Sequence, residues 1–65
     1  MTEKATPTEE NILRAAEKVF QQKGYAGTRM QEVADEAKIN KAMLHYYFRS
    51  KEKLFRVILT NAIDE

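Results

Sequence analysis

Four helix-start signals divide this 65-residue sequence, and they constrain its fold more than any other feature. Each is a small polar residue whose side chain can accept a hydrogen bond from a free backbone amide in the first turn of a helix. In two of them a Glu or Gln follows three residues later, which completes a capping box. The signals are Thr6-Pro7-Thr8-Glu9, in which Thr6 or Thr8 is the cap, Thr28-Arg29-Met30-Gln31, Asn40 and Ser50.

Apolar residues recur at helical spacing between these signals, so the sequence predicts an all-α fold. Gly24 should end the first helix, because glycine enters left-handed conformations at little cost, and Tyr25 should then fold back onto Phe20. The predicted helices cover about residues 7–23, 29–37, 41–48 and 51–65. Their apolar stripes are Ile12, Leu13, Ala16, Val19 and Phe20 in the first, Met30, Val33, Ala34 and Ala37 in the second, and Leu54, Phe55, Ile58, Leu59 and Ala62 in the fourth.

The third predicted helix has one face that can be buried and one that cannot. At about 100° per residue, Leu44, Tyr47 and Phe48 share a side that we assign to the core. Ile39 is a lone apolar residue in the preceding turn and should fill the core between two helices. The residues that turn away from the core are Ala42, His45, Tyr46 and Arg49.

Positive charge is concentrated around this third helix, although the whole chain has a net charge of only +1. Residues 1–37 have a net charge of −2, whereas residues 38–56 have one of +5. A local excess of this kind is what a phosphate-binding surface needs, but a solvated helix face would carry it as well. The basic residues of this region are Lys38, Lys41, Arg49, Lys51, Lys53 and Arg56.

Length and composition exclude several functional classes. A chain of 65 residues forms at most one domain, with no room for a buried active-site cavity of the usual size, roughly 300 Å³ or more. It has no cysteine, one histidine and no glycine-rich phosphate loop, so we predict no enzyme, metal or cofactor. It also lacks a transmembrane-length apolar run and the pattern of a signal peptide, so we expect a cytoplasmic protein.

The second and third helices, with the short turn between them, fit a helix-turn-helix over about residues 29–48. Ala34 is small where the two helices must approach each other closely. Over residues 9–60 the sequence resembles the N-terminal DNA-binding domain of TetR-family bacterial transcriptional regulators. The motifs that carry the resemblance are Gly24-Tyr25-x-x-Thr28, Val33-Ala34-x-x-Ala37, and Ile39 to Phe48 followed by Ser50-Lys51-Glu52-x-Leu54-Phe55.

The resemblance implies a homeodomain-like three-helix domain over residues 7–50, preceded by a flexible N-terminus at residues 1–6. The helix at residues 51–65 would lead to an absent C-terminal domain that dimerises and binds a small-molecule inducer. The wide apolar stripe of this helix, and the missing stop signal at its end, favour the same expectation. The implied protein is a ligand-released repressor in the bacterial nucleoid that binds a palindromic operator as a homodimer, while this fragment is monomeric.

The resemblance also implies roles for individual side chains. The third helix should lie in the DNA major groove, where a lysine can donate to guanine and an alanine can touch a thymine methyl group. The start of the fourth helix, with its free amides, suits a phosphate. Residues expected at base edges are Lys41, Ala42, His45 and Gln31. Residues expected at or beside the phosphate backbone are Thr28, Tyr46, Lys51 and Met43.

Two positions depart from the family pattern. Lys38 stands where glycine is usual, and a left-handed conformation there would cost up to ~1–2 kcal/mol. His45 stands where tyrosine is usual, so contact with a base or with a phosphate is open. Simpler roles also remain: packing for Met43, the core edge for Tyr46, and a solvated or intramolecular role for Arg49. A module that binds another protein through the fourth helix is the competing function.

Overall fold

The structure is a computed structural model that describes residues 7–63, with side chains described through residue 60. It contains four helices, as predicted: α1 (Pro7–Gly27), α2 (Met30–Ala37), α3 (Lys41–Tyr47) and α4 (Lys51–Ile63). The first helix begins at Pro7, as expected. The proposed cap Thr6, the N-terminal segment 1–6, the side chain of Ala62 and the predicted end of the fourth helix at residue 65 lie outside the described residues.

The break at Gly24 is confirmed, but the helical course continues beyond it to Gly27. Gly24 has φ 79° and ψ 164°, a combination that is essentially restricted to glycine. The chain kinks there, and Tyr25 folds back so that its ring centroid lies 5.9 Å from that of Phe20. The kink carries the chain from α1 towards the start of α2.

The start of α2 differs from the prediction. Its N-cap is Arg29 instead of Thr28, and the reciprocal carboxylate is Glu32, whose Oε1 accepts a 3.1 Å hydrogen bond from the Arg29 amide. Thr28 is not the cap because Arg29 is still extended, with φ −118° and ψ 148°, so the helix begins one residue later. The Thr28 hydroxyl donates a 2.7 Å hydrogen bond back to the Gly24 carbonyl. Gln31 instead pairs with Asp35 through a 2.9 Å hydrogen bond.

The turn between α2 and α3 is closed by backbone hydrogen bonds. Lys38 adopts a left-handed conformation with φ 63° and ψ 42°. Its amide donates to the Asp35 carbonyl at 3.1 Å and the Ile39 amide donates to the Ala34 carbonyl at 3.0 Å, which together form a Schellman ending. Ile39 packs against the core, as predicted, so the turn is anchored at its centre.

The predicted caps of the last two helices are confirmed. Asn40 Oδ1 accepts a 2.7 Å hydrogen bond from the Met43 amide, and Ser50 Oγ accepts a 3.1 Å hydrogen bond from the Lys53 amide. The third helix ends at Tyr47, one residue earlier than expected, because Phe48 is already extended. The third helix therefore has only two turns, and it lies between the N-cap Asn40 and the N-cap of α4, Ser50.

One core holds the helices together, and it contains nearly all of the predicted inner residues. Ala15 is buried as well, which widens the α1 stripe, whereas Leu59 on α4 remains 46% exposed. Tyr47, assigned to the core, is half-buried and packs at its edge. The buried apolar residues are Ile12, Ala15, Ala16, Val19, Phe20, Val33, Ala34, Ala37, Leu44, Phe48 and Leu54.

Candidate nucleic-acid interface

The outer face of α3 is the surface that best fits a groove-binding element. Leu44 is completely buried on one side of this helix, whereas Tyr46 is 80% exposed on the other. Lys41 and Ala42 are exposed in the first turn, and Met43 is 44% exposed beside them. A single short helix therefore has a core-facing side and a fully accessible side, as a recognition helix requires.

Each predicted residue of this face lies on the accessible side, with one partial exception. His45, which is half-buried, is that exception. Tyr46 packs its ring edge-to-face on Tyr47, with 5.1 Å between the centroids. This contact gives an otherwise exposed aromatic ring a fixed support and leaves its phenol group accessible.

Two ion pairs connect α1 to α2, and neither uses a basic residue of α3. Lys18 pairs with Glu36 at 3.0 Å and Lys23 pairs with Glu32 at 2.9 Å, so lysines of α1 are used by carboxylates of α2. Within the described part of the chain, the exposed Lys41 has neither an ion-pair nor a hydrogen-bond partner. Its charge is available for an external anion.

Arg49, just after α3, is also exposed and has no partner of either kind within residues 7–63. Its guanidinium adds a second available positive charge at the end of α3. Among the described residues, Arg49 therefore makes no intramolecular contact of the kind that the sequence left open.

Glu32 holds the start of α2 in place electrostatically. The Lys23 ammonium first, and the Arg29 backbone amide second, lower the pKa of the Glu32 carboxyl from its ordinary value of 4.5. The carboxylate is thus ionised at neutral pH and remains bonded to both groups. This anchoring fixes the N-terminal turn of α2, where the exposed Gln31 lies.

Two of the predicted phosphate ligands have other partners. The Thr28 side chain is 2% exposed and bonded to Gly24, so it offers no surface to a phosphate in the free chain. Lys51 Nζ donates hydrogen bonds of 2.8 Å and 3.0 Å to the carbonyl oxygens of Tyr25 and Thr28. The Thr28 hydroxyl makes a local contact at the kink, and the half-buried Lys51 connects α4 to the segment that precedes α2.

The exposed N-cap Arg29 is a cation that sequence reasoning missed at this edge. With Thr28 as the predicted cap, Arg29 would be the first residue inside the helix. The signal was present, since Glu32 follows Arg29 at the same three-residue spacing that Gln31 has from Thr28. Arg29 therefore takes the exposed position at which Thr28 was expected.

Among the described residues, no group of three or more His, Cys, Asp or Glu side chains could hold a metal ion. An open groove of about 490 Å³ runs along α4, lined by Ser50, Glu52, Lys53, Arg56, Val57 and Thr60. Across residues 7–63 we find no helix that combines the length and apolar character needed to cross a bilayer.

The sequence of this chain is similar to those of known proteins. A sequence model of the family described as bacterial regulatory proteins, tetR family, matches residues 12–58. The chain is similar to the HTH-type transcriptional repressor NicS of Pseudomonas putida, with 47% identity over 57 residues, which cover 88% of this chain and 27% of NicS. It is also similar to the HTH-type transcriptional regulator RutR of Escherichia coli K12, with 43% identity over 53 residues, which cover 82% of this chain and 25% of RutR.

Solved structures agree with the sequence comparisons. The crystal structure of HlyIIR, a hemolysin II transcriptional regulator, superposes with a TM-score of 0.75 and 55% identity, over 78% of this chain and 28% of HlyIIR. A HlyIIR mutant superposes with a TM-score of 0.80 and 52% identity, over 83% of this chain and 30% of that one. The chain thus spans between a quarter and a third of the length of these relatives.

Proposed function

Because this chain belongs to the tetR family of bacterial regulatory proteins, a family of DNA-binding transcriptional regulators and not of enzymes, we propose that α3 is its DNA-reading element. In this proposal α3 lies in the major groove and reads base edges with Lys41, Ala42 and His45. The observation that carries the proposal is the division of α3 into a buried side at Leu44 and a side that is 80% exposed at Tyr46.

The side chains of Lys41, Ala42 and His45 differ in chemistry, so each would recognise a different feature of a base pair. The unpaired ammonium of Lys41 can donate to the O6 and N7 atoms of guanine. The methyl group of Ala42 can contact the methyl group of thymine, and its small size lets the helix approach the bases closely. His45 is half-buried, and a ring N–H can donate to a base acceptor or to a phosphate oxygen.

The flanks of α3 would hold the phosphate backbone. The phenol of Tyr46 is accessible and its ring is supported by Tyr47, so it suits a hydrogen bond to a phosphate oxygen. Met43 would pack beside the backbone at the edge of the interface. At the start of α2, Arg29 and Gln31 are exposed and would reach the adjacent backbone or a base. Phosphate contacts of this kind set the position of the helix in the groove.

The function of the whole protein is also part of the proposal. NicS is named a repressor, and this chain covers 27% of it, so we place the chain at the N-terminus of a longer ligand-released repressor. The remaining helical domain would dimerise and bind the inducer, and the dimer would bind a palindromic operator in the cytoplasm, at the nucleoid. Leu59, 46% exposed on α4, offers apolar surface for that domain.

Selection of bound sequences from random duplex DNA by the full-length regulator tests the proposal. We expect an inverted repeat whose half-sites lie about one helical turn apart, or a multiple of it, because the two copies of α3 would be related by a two-fold axis. Binding should weaken steeply as salt is raised, since several phosphates release their counterions. Enrichment of no sequence, or an affinity independent of salt, would refute the proposal.

A protein-interaction module through α4 is the second candidate, favoured by the exposure of Leu59. This candidate predicts a partner contact that persists at high salt, because burial of apolar surface is not screened by ions. It also predicts that Leu59→Ser weakens the partner contact while the isolated chain keeps its affinity for DNA. If Leu59→Ser weakened DNA binding as much as it weakened the partner contact, Leu59 would belong to the DNA-binding function instead.

A further inference from the structure

We propose that Lys51 is a positioning residue: its ammonium group ties the backbone that leads into α2 to the first residue of α4, and it does not itself bind phosphate. The inference rests on the proposed function, since it concerns how the DNA-binding surface is held. Lys51 Nζ donates to the Tyr25 carbonyl at 2.8 Å and to the Thr28 carbonyl at 3.0 Å. It also lies 4.4 Å from the centroid of the Tyr25 ring.

These contacts use most of the binding capacity of the ammonium group. A lysine has three N–H donors and no acceptor, and two of the donors of Lys51 are taken by carbonyl oxygens. The ring face of Tyr25 covers a further side and attracts the charge by a cation–π interaction. To reach a phosphate, Lys51 would have to give up both hydrogen bonds and the ring.

The segment that Lys51 holds is constrained from several directions. The Thr28 hydroxyl donates to the Gly24 carbonyl at 2.7 Å, and the Thr28 amide donates to the Tyr25 carbonyl at 3.2 Å. Phe55, one turn after Lys51 on α4, places its ring centroid 4.8 Å from that of Tyr25. The first turn of α4 therefore contacts this segment through both an ammonium group and an aromatic ring.

The position of the segment makes the contact relevant to DNA binding. Residues 24–28 connect the kink in α1 to Arg29, the N-cap of α2. Because Lys51 is the first residue of α4, its two hydrogen bonds fix where α2 begins relative to where α4 begins. Loss of these bonds should loosen the start of α2, and a less preorganised surface binds DNA less tightly even when its own charges are unchanged.

A salt titration of DNA binding separates positioning from phosphate contact. We would measure the affinity of the wild type, Lys51→Met and the control Lys53→Met for one short fluorescent duplex of mixed sequence over a range of salt concentrations. Lys53 is exposed on the same turn of α4, so its replacement removes one positive charge without breaking the contact to Tyr25. Circular dichroism would establish that each variant is folded.

The two roles predict different salt dependences. For positioning, Lys51→Met lowers the affinity on the order of tenfold and more than Lys53→Met does, while the slope of log affinity against log salt stays at the wild-type value. Lys51→Arg, which keeps two donors and a flat cation over the ring, should restore most of the affinity. A slope reduced by about one in Lys51→Met would overturn the inference and assign Lys51 to a phosphate.

If Lys51→Met does not fold, NMR spectroscopy of the wild type tests the same inference. The carbonyl ¹³C shifts of Tyr25 and Thr28 report the hydrogen bonds from Lys51 directly. We expect both shifts to stay the same when mixed-sequence duplex DNA is added, because Lys51 remains in place. A common upfield movement on binding would show that Lys51 leaves its carbonyls for DNA, and would overturn the inference while leaving the proposed function intact. A wild type without salt-dependent binding would refute both.

Discussion

The side-chain amide of Asn11 on α1 donates a 2.8 Å hydrogen bond to the backbone carbonyl of Ala37, the last residue of α2. The carbonyls at the end of a helix have no partner within the helix, so this bond satisfies one of them from a neighbouring element. It also connects α1 to the point at which the chain turns towards α3. The placement of α3 thus depends partly on a polar residue far from it in sequence.

Replacement of Asn11 by alanine should destabilise the chain by about 1 kcal/mol, the net value of one partly buried hydrogen bond. For a domain of this size the melting temperature should fall by roughly 4–8 °C. Thermal unfolding followed by circular dichroism measures it.

Asn11→Asp is the informative companion variant. At neutral pH its carboxylate cannot donate and would face the negative end of α2, so the loss should exceed that in Asn11→Ala. On acidification the carboxyl gains a proton that it can donate, and its deficit relative to Asn11→Ala should shrink. A constant difference between the two variants at every pH would contradict the hydrogen bond.

Lys38→Gly should stabilise the domain. Lys38 is left-handed at φ 63°, which costs a side-chain-bearing residue about 1–2 kcal/mol, and glycine removes this cost. Glycine also gains more freedom in the unfolded chain, so the net gain should be about 0.5–1 kcal/mol. Lys38→Ala controls for the lost charge and should bring no such gain, whereas Gln21→Gly, within α1, should cost about 1 kcal/mol. A lower free energy of unfolding in Lys38→Gly than in the wild type would show that Lys38 is not strained.

Local signals in the sequence were sufficient for the helices and for the two faces of α3. The caps Asn40 and Ser50 and the break at Gly24 act over one or two turns, so the residues that form them are close in sequence. The inward assignment of Leu44 and the outward assignment of Tyr46 follow from helical periodicity alone. For these features, the conformation that neighbouring residues favour is the one found in the folded chain.

Lys51 makes contacts that the sequence does not encode locally. Lys51 bonds to carbonyl groups 26 and 23 residues away, and a backbone carbonyl leaves no signature in the identity of its residue. The resemblance to a family supplied a phosphate role, but it carried no information about which acceptor is nearer in this chain. The predicted cap at Thr28 is wrong by one residue, because Arg29 is still extended and its amide donates to the Glu32 carboxylate.

The ion pair at Glu32 should make stability depend on pH. The pKa of Glu32 is lowered in the folded chain, so its contribution to stability is present above its ordinary value of 4.5 and is lost as the pH falls through the folded value. Urea unfolding of the wild type and Glu32→Gln should differ most at neutral pH and converge in acid. Glu17→Gln, which removes an exposed negative charge on α1, is the control for the change in net charge. A pH-independent difference for Glu32→Gln would contradict the contact.

Ala42→Gln should change which DNA sequence is preferred without changing the fold. Ala42 is exposed in the first turn of α3, so the substitution should alter the free energy of unfolding by less than about 0.5 kcal/mol. A glutamine at the reading face can pair with adenine, so one base pair per half-site should change, with about 1–3 kcal/mol of discrimination. Selection from random duplexes by the full-length regulator measures it, with Gln21→Ala as the control. Identical preferences would remove Ala42 from the reading surface.

Tyr46→Phe should weaken binding to all DNA sequences about equally. The ring would keep its contact with Tyr47, and the position is 80% exposed, so the melting temperature should be unchanged. Loss of one hydrogen bond to a charged phosphate should cost about 1.5 kcal/mol or more, which is at least about tenfold in affinity. Fluorescence anisotropy with the selected operator and with a mixed-sequence duplex would give both losses. If only operator binding falls, Tyr46 reads a base; if neither falls, its phenol lies outside the interface.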